Sequence, residues 1–229
     1  VRRSARMIPS LNEIEMTVWK AARGAGLAWG LAEEMGQAAR WLADRGFDWP
    51  EPLVAALAEA EGRDGRLPPP SRADDGAWNP AAGDAWASPI LCGPLLADIA
   101  SEIAADRPLV FRRVAQPLLM LPFAAGAAAA LGNRLTLRID AAVFHFDGHA
   151  GAEGSPALPN AALAERVLLS MEDGPPRDAA MVAFPAGAPR RAIPDGPLAR
   201  LEAWVHRTYV PASAESRLAG AGAGLTDND

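Results

Sequence analysis

The sequence predicts an α+β fold: a helical N-terminal part, then a mainly antiparallel sheet, then a C-terminal helix and tail. Three observations predict it. Apolar residues recur at helical spacing through the first 61 positions. From about Leu109 the apolar pattern turns to period two. The strand-like segments are separated briefly enough to favour hairpins over crossover connections. The chain divides on this basis into a helical region over 1–61, a loop-rich connection over 62–89, a sheet-containing body over 90–206 and a tail over 207–229.

Ser10 followed three residues later by Glu13 predicts a capping box, in which each side chain serves the other's backbone N–H. Behind it Leu11, Ile14, Val18 and Ala25 share a face, and Gly26 can close the helix. A second helix is expected from about Gly30 to Asp44, with Leu31, Met35, Ala38 and Leu42 on one side and Gly46 as its stop. The two form an αα-hairpin across a short Gly-Leu-Ala-Trp turn. A third helix is expected over Pro52 to Glu61, with proline in its first turn where the missing N–H costs nothing.

Residues 62–89, with Pro68-Pro69-Pro70 and Asp74-Asp75-Gly76, read as a loop that Trp78 and Trp86 fold back onto the body. Asp98 to Asp106 is expected as a short helix. Strands are expected at Leu109–Arg112, Pro117–Leu121, Leu135–Ile139, Ala142–Phe146, Arg166–Met171 and Met181–Phe184, and a final helix over Leu198 to Thr208.

Composition bounds the function. The net charge of −6 argues against a nucleic-acid binder, because phosphate contacts need a basic face. Val114 to Gly132 is uncharged, but Gln116, Pro117 and Pro122 interrupt it, so a buried strand followed by small-residue packing is expected rather than a membrane span. No apolar signal region follows the basic start, and a cytoplasmic location is expected. Cys92 stands alone, which leaves no intramolecular disulfide and no CxxC motif. At a turn ahead of a helix it is a candidate reactive thiol, weighed against the commoner buried and inert state.

The cofactor, if one is used, is unknown from the sequence. The bend over 23–34 puts glycines before a helix N-terminus, but no strand precedes it and the glycine spacing is not that of a dinucleotide fingerprint. The Gly-Ala run over 220–224 lacks the following helix with Lys or Ser/Thr that a phosphate-cradling loop needs. His145, Asp147 and His149 fall on one face of an extended chain and form a candidate metal triplet. The alternation of Phe144 and Phe146 explains the same pattern as apolar-in, polar-out, and no metal is assigned.

The residues that remain point to a small anion. Arg207 and Arg217 can grip a carboxylate or phosphate through two parallel N–H donors, with hydroxyls from Tyr209, Ser213 and Ser216. Lys20 is the only lysine in a chain that otherwise uses arginine, and lysine, unlike arginine, can shed its proton for catalysis. Lys20 and Glu34 are therefore the expected proton carriers. The expected function is an enzyme or ligand-binding protein acting on a small anionic metabolite. The alternative is a non-catalytic accessory subunit whose seven tryptophans and tail dock a partner enzyme.

Two segments also carry a family likeness. Ser10-Leu-Asn-Glu-Ile-Glu, Lys20-Ala-Ala-Arg-Gly-Ala-Gly-Leu-Ala-Trp-Gly-Leu-Ala-Glu-Glu34 and Thr208-Tyr-Val-Pro-Ala-Ser, continuing to Asp227-Asn-Asp, resemble a family of small proteobacterial proteins classed as a domain of unknown function. That resemblance implies a cytoplasmic protein and no particular activity. A second likeness, to the malate/sulfolactate dehydrogenase-like family, is confined to the opening helix pair. The His-rich motif that family carries after the second helix is Phe47-Asp-Trp-Pro here, so no residue role is carried over.

Overall fold

The structure is a computed structural model, and it describes residues 8–104, 107–149, 151–155, 162–171 and 181–209. Within them the N-terminal helices come first. Helix α1 (Leu11–Gly24) begins at the expected capping box: the Glu13 N–H donates to Ser10 Oγ at 3.2 Å, and the Ser10 N–H donates to Glu13 Oε2 at 2.7 Å. Those two bonds hold the Glu13 carboxyl below the ordinary carboxylate range. Helix α2 (Trp29–Asp44) returns along α1 as the hairpin partner, and Ile14, Val18, Met35 and Leu42 are buried. Helix α3 (Pro50–Glu61) starts two residues earlier than expected because Pro50, not Pro52, takes the first helical position.

The segment after α3 is less loop-like than its composition suggests. Two short strands, β1 (Ser71–Arg72) and β2 (Trp78–Asn79), form the edge of the sheet, and Trp78 stacks on Phe111 with ring centroids 6.4 Å apart. Helix α4 (Pro89–Asp98) follows, where a helix was expected only from Asp98 onward. Gly93-Pro94 reads as a turn in sequence, yet both lie inside this helix. A 3-10 turn over Ala100–Glu102 is what exists of the expected short helix.

Strand β3 (Leu109–Ala115) is where expected, but the strand expected at Pro117–Leu121 does not form. Gln116 takes a left-handed conformation (φ 44°) that ends β3, a 3-10 turn covers Pro117–Met120, and helix α5 (Leu121–Leu131) follows. The cause is that an apolar run carries no period of its own, so packing decides its state. Alanine, the strongest helix former, supplies much of α5.

The remaining strands are β4 (Leu135–Ile139), β5 (Ala142–Phe146), β6 (Ala152–Gly154), β7 (Leu163–Met171) and β8 (Val182–Ala183). Among the described residues they form an eight-stranded sheet in the order β1-β2-β3-β7-β4-β5-β6-β8. Every pairing is antiparallel except that of β2 with β3. The hairpin β4–β5 is local, whereas β7 inserts between β3 and β4 from later in the chain. Leu109, Phe111, Leu137, Phe144, Val167 and Leu169 are buried in the same core as α4 and α5.

Helix α6 (Asp195–His206) closes the fold. It crosses back over α1 and α3, burying Leu201 and Trp204 completely. This crossing brings the residues after α6 beside the C-terminal end of α1. Among the described residues no helix is long and apolar enough to cross a membrane.

Candidate functional site

The end of α6 and the last two turns of α1 border an open cleft of about 510 Å³ with the start of α2. Trp19, Lys20, Arg23, Trp29, Arg207 and Tyr209 line it. Three of the residues singled out from sequence, Lys20, Arg207 and Tyr209, therefore meet at one place although up to 189 positions separate them. Residues Trp19, Lys20, Arg23 and Gly24 share the cleft because positions three and four apart stack on one helix face. The lining holds three cations and no carboxylate, in a chain whose net charge is −6.

Two of the three cations have duties within the fold. Arg23 donates to the Leu27 carbonyl and lies over the Trp29 ring, 5.6 Å from its centroid. Arg207 pairs with Glu61 Oε1 at 2.6 Å and reaches toward the Gly24 carbonyl at 3.4 Å. Both thus sit against the carbonyl-rich ends of α1 and α6, where positive charge is favoured. The Arg207 hydrogen bond holds the Glu61 carboxyl below its usual range, and Arg200 bonds the same carboxylate at 2.7 Å. Lys20 is half-buried and makes no ion pair among the described residues.

The aromatic walls are held in place. Trp19 and Trp29 meet edge to face with centroids 4.9 Å apart and planes at 76°. The Trp29 indole N–H donates to Glu33 Oε1 at 2.9 Å. Helix α2 begins at Trp29 with no side-chain cap, so its first backbone N–H groups and the positive end of its dipole open next to the cleft.

Glu34 is not part of this arrangement. It is half-buried on α2, and its carboxyl is pushed above the ordinary value by burial and then by the charges of Asp98 and Glu33. A carboxyl with a raised folded-state pKa stabilises the fold fully only below its unfolded value, and loses that contribution as pH rises through the folded value. Glu34→Gln is therefore expected to raise Tm at pH 7 and leave it unchanged near pH 4. Thermal melts at the two pH values test this, and an equal shift at both would remove the electrostatic cause.

Ser213, Ser216 and Arg217 lie outside the described residues, as does the Gly-Ala run. The His145 cluster takes a different form from a metal site. His145 Nδ1 is 3.0 Å from Thr136 Oγ1 across the β4–β5 pair, and both residues are buried. Asp147 lies beyond the end of β5 and accepts the N–H groups of His149 and Gly151, which shapes its own turn. Among the described residues no three His, Cys, Asp or Glu side chains are placed to hold a metal ion. Cys92 lies inside α4 and not at a turn. It is completely buried, and desolvation pushes its thiol up to about 12, which leaves no thiolate at neutral pH.

Sequence reasoning missed Trp19, Arg23 and Trp29 as lining residues. The available signal was the spacing of Trp19, Lys20 and Arg23 on one helix face, but only tertiary contact with α6 turns that face into a wall.

The fold and the cleft define an α+β protein with a cationic, aromatic-walled site at a helix junction. Residues 9–78 match the family model described as "Protein of unknown function (DUF3726)". The match runs from the residue before the α1 cap to the first residue of β2, so it includes the α1 and α2 sides of the cleft and none of α6. This supports the likeness to a family of unknown function over that segment and brings no activity with it. No curated protein and no solved structure matches the chain.

Proposed function

We propose that this is a cytoplasmic protein that binds a small anionic metabolite in the cleft between α1, the start of α2 and the end of α6. The observation that carries the reading is the convergence of Lys20, Arg23 and Arg207 on one cleft without a lining carboxylate. Lys20 supplies a charge that makes no ion pair among the described residues, Arg207 a second one shared with Glu61, and Tyr209 a hydroxyl. Glu34 takes no part, because it does not line the cleft. If the bound metabolite is also transformed, Lys20 is the group at hand to carry a proton.

Thermal shift with inorganic phosphate and with succinate tests the reading. A ligand that binds only the folded state stabilises it by about 2.7 kcal/mol at a hundredfold excess over Kd. Lys20→Ala is expected to weaken binding by tenfold or more, since hydrogen bonds to charged groups contribute roughly 1.5–3 kcal/mol. Lys20→Arg should keep the binding and abolish any turnover that needs a neutral amine. Unchanged stabilisation of Lys20→Ala by both anions would exclude the site.

A second reading, docking of a partner enzyme, draws on Trp29 and Met16, which are 57% and 48% exposed on neighbouring helices. Of the seven tryptophans, Trp49 and Trp204 are buried and Trp19, Trp41, Trp78 and Trp86 half-buried, so Trp29 alone offers an open ring for docking. The same panel separates the two readings. Loss of anion stabilisation in Lys20→Ala belongs to ligand binding, whereas loss of a stable complex in Trp29→Ala with anion binding intact belongs to docking.

A further inference from the structure

We infer that the anion bound by this cleft carries an aromatic ring: a carboxylate or phosphate joined to a planar group. The inference rests on the anion-binding reading and narrows its ligand class.

Cations alone are enough to hold an inorganic anion, and this cleft has more than cations. Three of its eight lining residues are aromatic, in a chain that is 6% aromatic overall. Two of the three are displayed rather than packed: Trp29 is 57% exposed, and Tyr209, the only tyrosine, is 56% exposed. Large rings left in water forgo the gain from burying their apolar area, which a ligand that covers them recovers.

The rings are also preorganised. Trp29 is held by its N–H bond to Glu33 and by its edge-to-face contact with Trp19, so it presents a fixed plane. Tyr209 stands edge-on to His206 with centroids 5.4 Å apart and planes at 86°. A platform already fixed in its bound position costs little ordering when a ring settles on it. Cavities that enclose small organic ligands measure roughly 300–1,000 Å³. The volume of about 510 Å³ falls in that range and exceeds what phosphate or acetate would fill. Lys20 and the rings of Trp19, Trp29 and Tyr209 line the same cleft, so charge and aromatic surface are available to one ligand.

The test compares matched pairs by isothermal titration: phenylacetate against cyclohexylacetate, and AMP against ribose 5-phosphate. Stacking beyond simple area burial predicts a preference of about 3- to 10-fold for phenylacetate over cyclohexylacetate, and AMP gains the burial of its base over ribose 5-phosphate in addition. Trp29→Leu should abolish the preference, and Tyr209→Phe should preserve it. A preference within the carboxylate pair identifies an aryl carboxylate, and one within the phosphate pair a nucleotide. Equal affinities within both pairs would overturn the aromatic inference and leave anion binding standing. Failure of all four probes to bind would overturn both.

Discussion

Trp204→Ala is expected to destabilise the protein by about 3–5 kcal/mol, the range for removing a fully buried large aromatic side chain. Trp204 is completely inaccessible and is the largest fully buried side chain. It lies on α6, which packs on α1 and α3, and the Arg200 guanidinium covers its ring at 4.8 Å from the centroid. The loss combines the apolar transfer energy with a cavity that two crossing helices cannot close without moving. Typical domains have only about 5–15 kcal/mol of stability, so the variant should be close to its folding limit at 37 °C. Urea denaturation of wild type and variant measures it, and a loss under about 1 kcal/mol would show that α6 does not depend on this residue. Because α6 carries Arg207 and Tyr209 to the cleft, partial undocking should also weaken anion binding.

Gly24→Ala is expected to cost about 3 kcal/mol, at the upper end of overpacking, because the clash is between backbones. A Cβ on Gly24 would sit 1.9 Å from the Trp204 carbonyl oxygen. No rotamer change relieves that, so α6 must move away from α1. Gly126→Ala is the control. It lies within α5 with nothing within 4 Å of its would-be Cβ, and there alanine should stabilise by up to about 1 kcal/mol through helix propensity. Opposite signs in thermal melts of the two variants would establish close approach as the cause. A neutral Gly24→Ala would mean that the α1–α6 crossing is wider than described. The same substitution tests the cleft, since it separates the Gly24 carbonyl from Arg207.

The local elements were legible where the residues state a period or a cap. Ser10 and Glu13 specify the start of α1 by their own hydrogen bonds, and Leu135–Ile139 and Ala142–Phe146 announce β4 and β5 by alternation. Legibility failed where apolar residues run together. Pro117–Leu121 offers no alternation and no polar face, so the choice between strand and helix fell to the surrounding core. Strand β6 (Ala152–Gly154) escaped notice because three residues, Ala-Glu-Gly, are too few to show alternation until β5 and β8 pair with them. For the site, Lys20, Arg207 and Tyr209 stood out by rarity and charge, while Trp19 and Trp29 entered only with the seven tryptophans of the docking alternative.

The sequence by itself determined the α+β class, the αα-hairpin, the period-two strands and the chemical types able to hold an anion. Each of these follows from neighbours within about four positions, where backbone geometry alone sets which side chains share a face. Only the tertiary structure decided that β7 lies between β3 and β4, that α5 is a helix, and that Glu34 does not line the cleft. It also decided that Lys20 and Arg207 line one cleft. That meeting depends on α6 seating Trp204 against Gly24, a contact between residues 180 positions apart that no local pattern encodes.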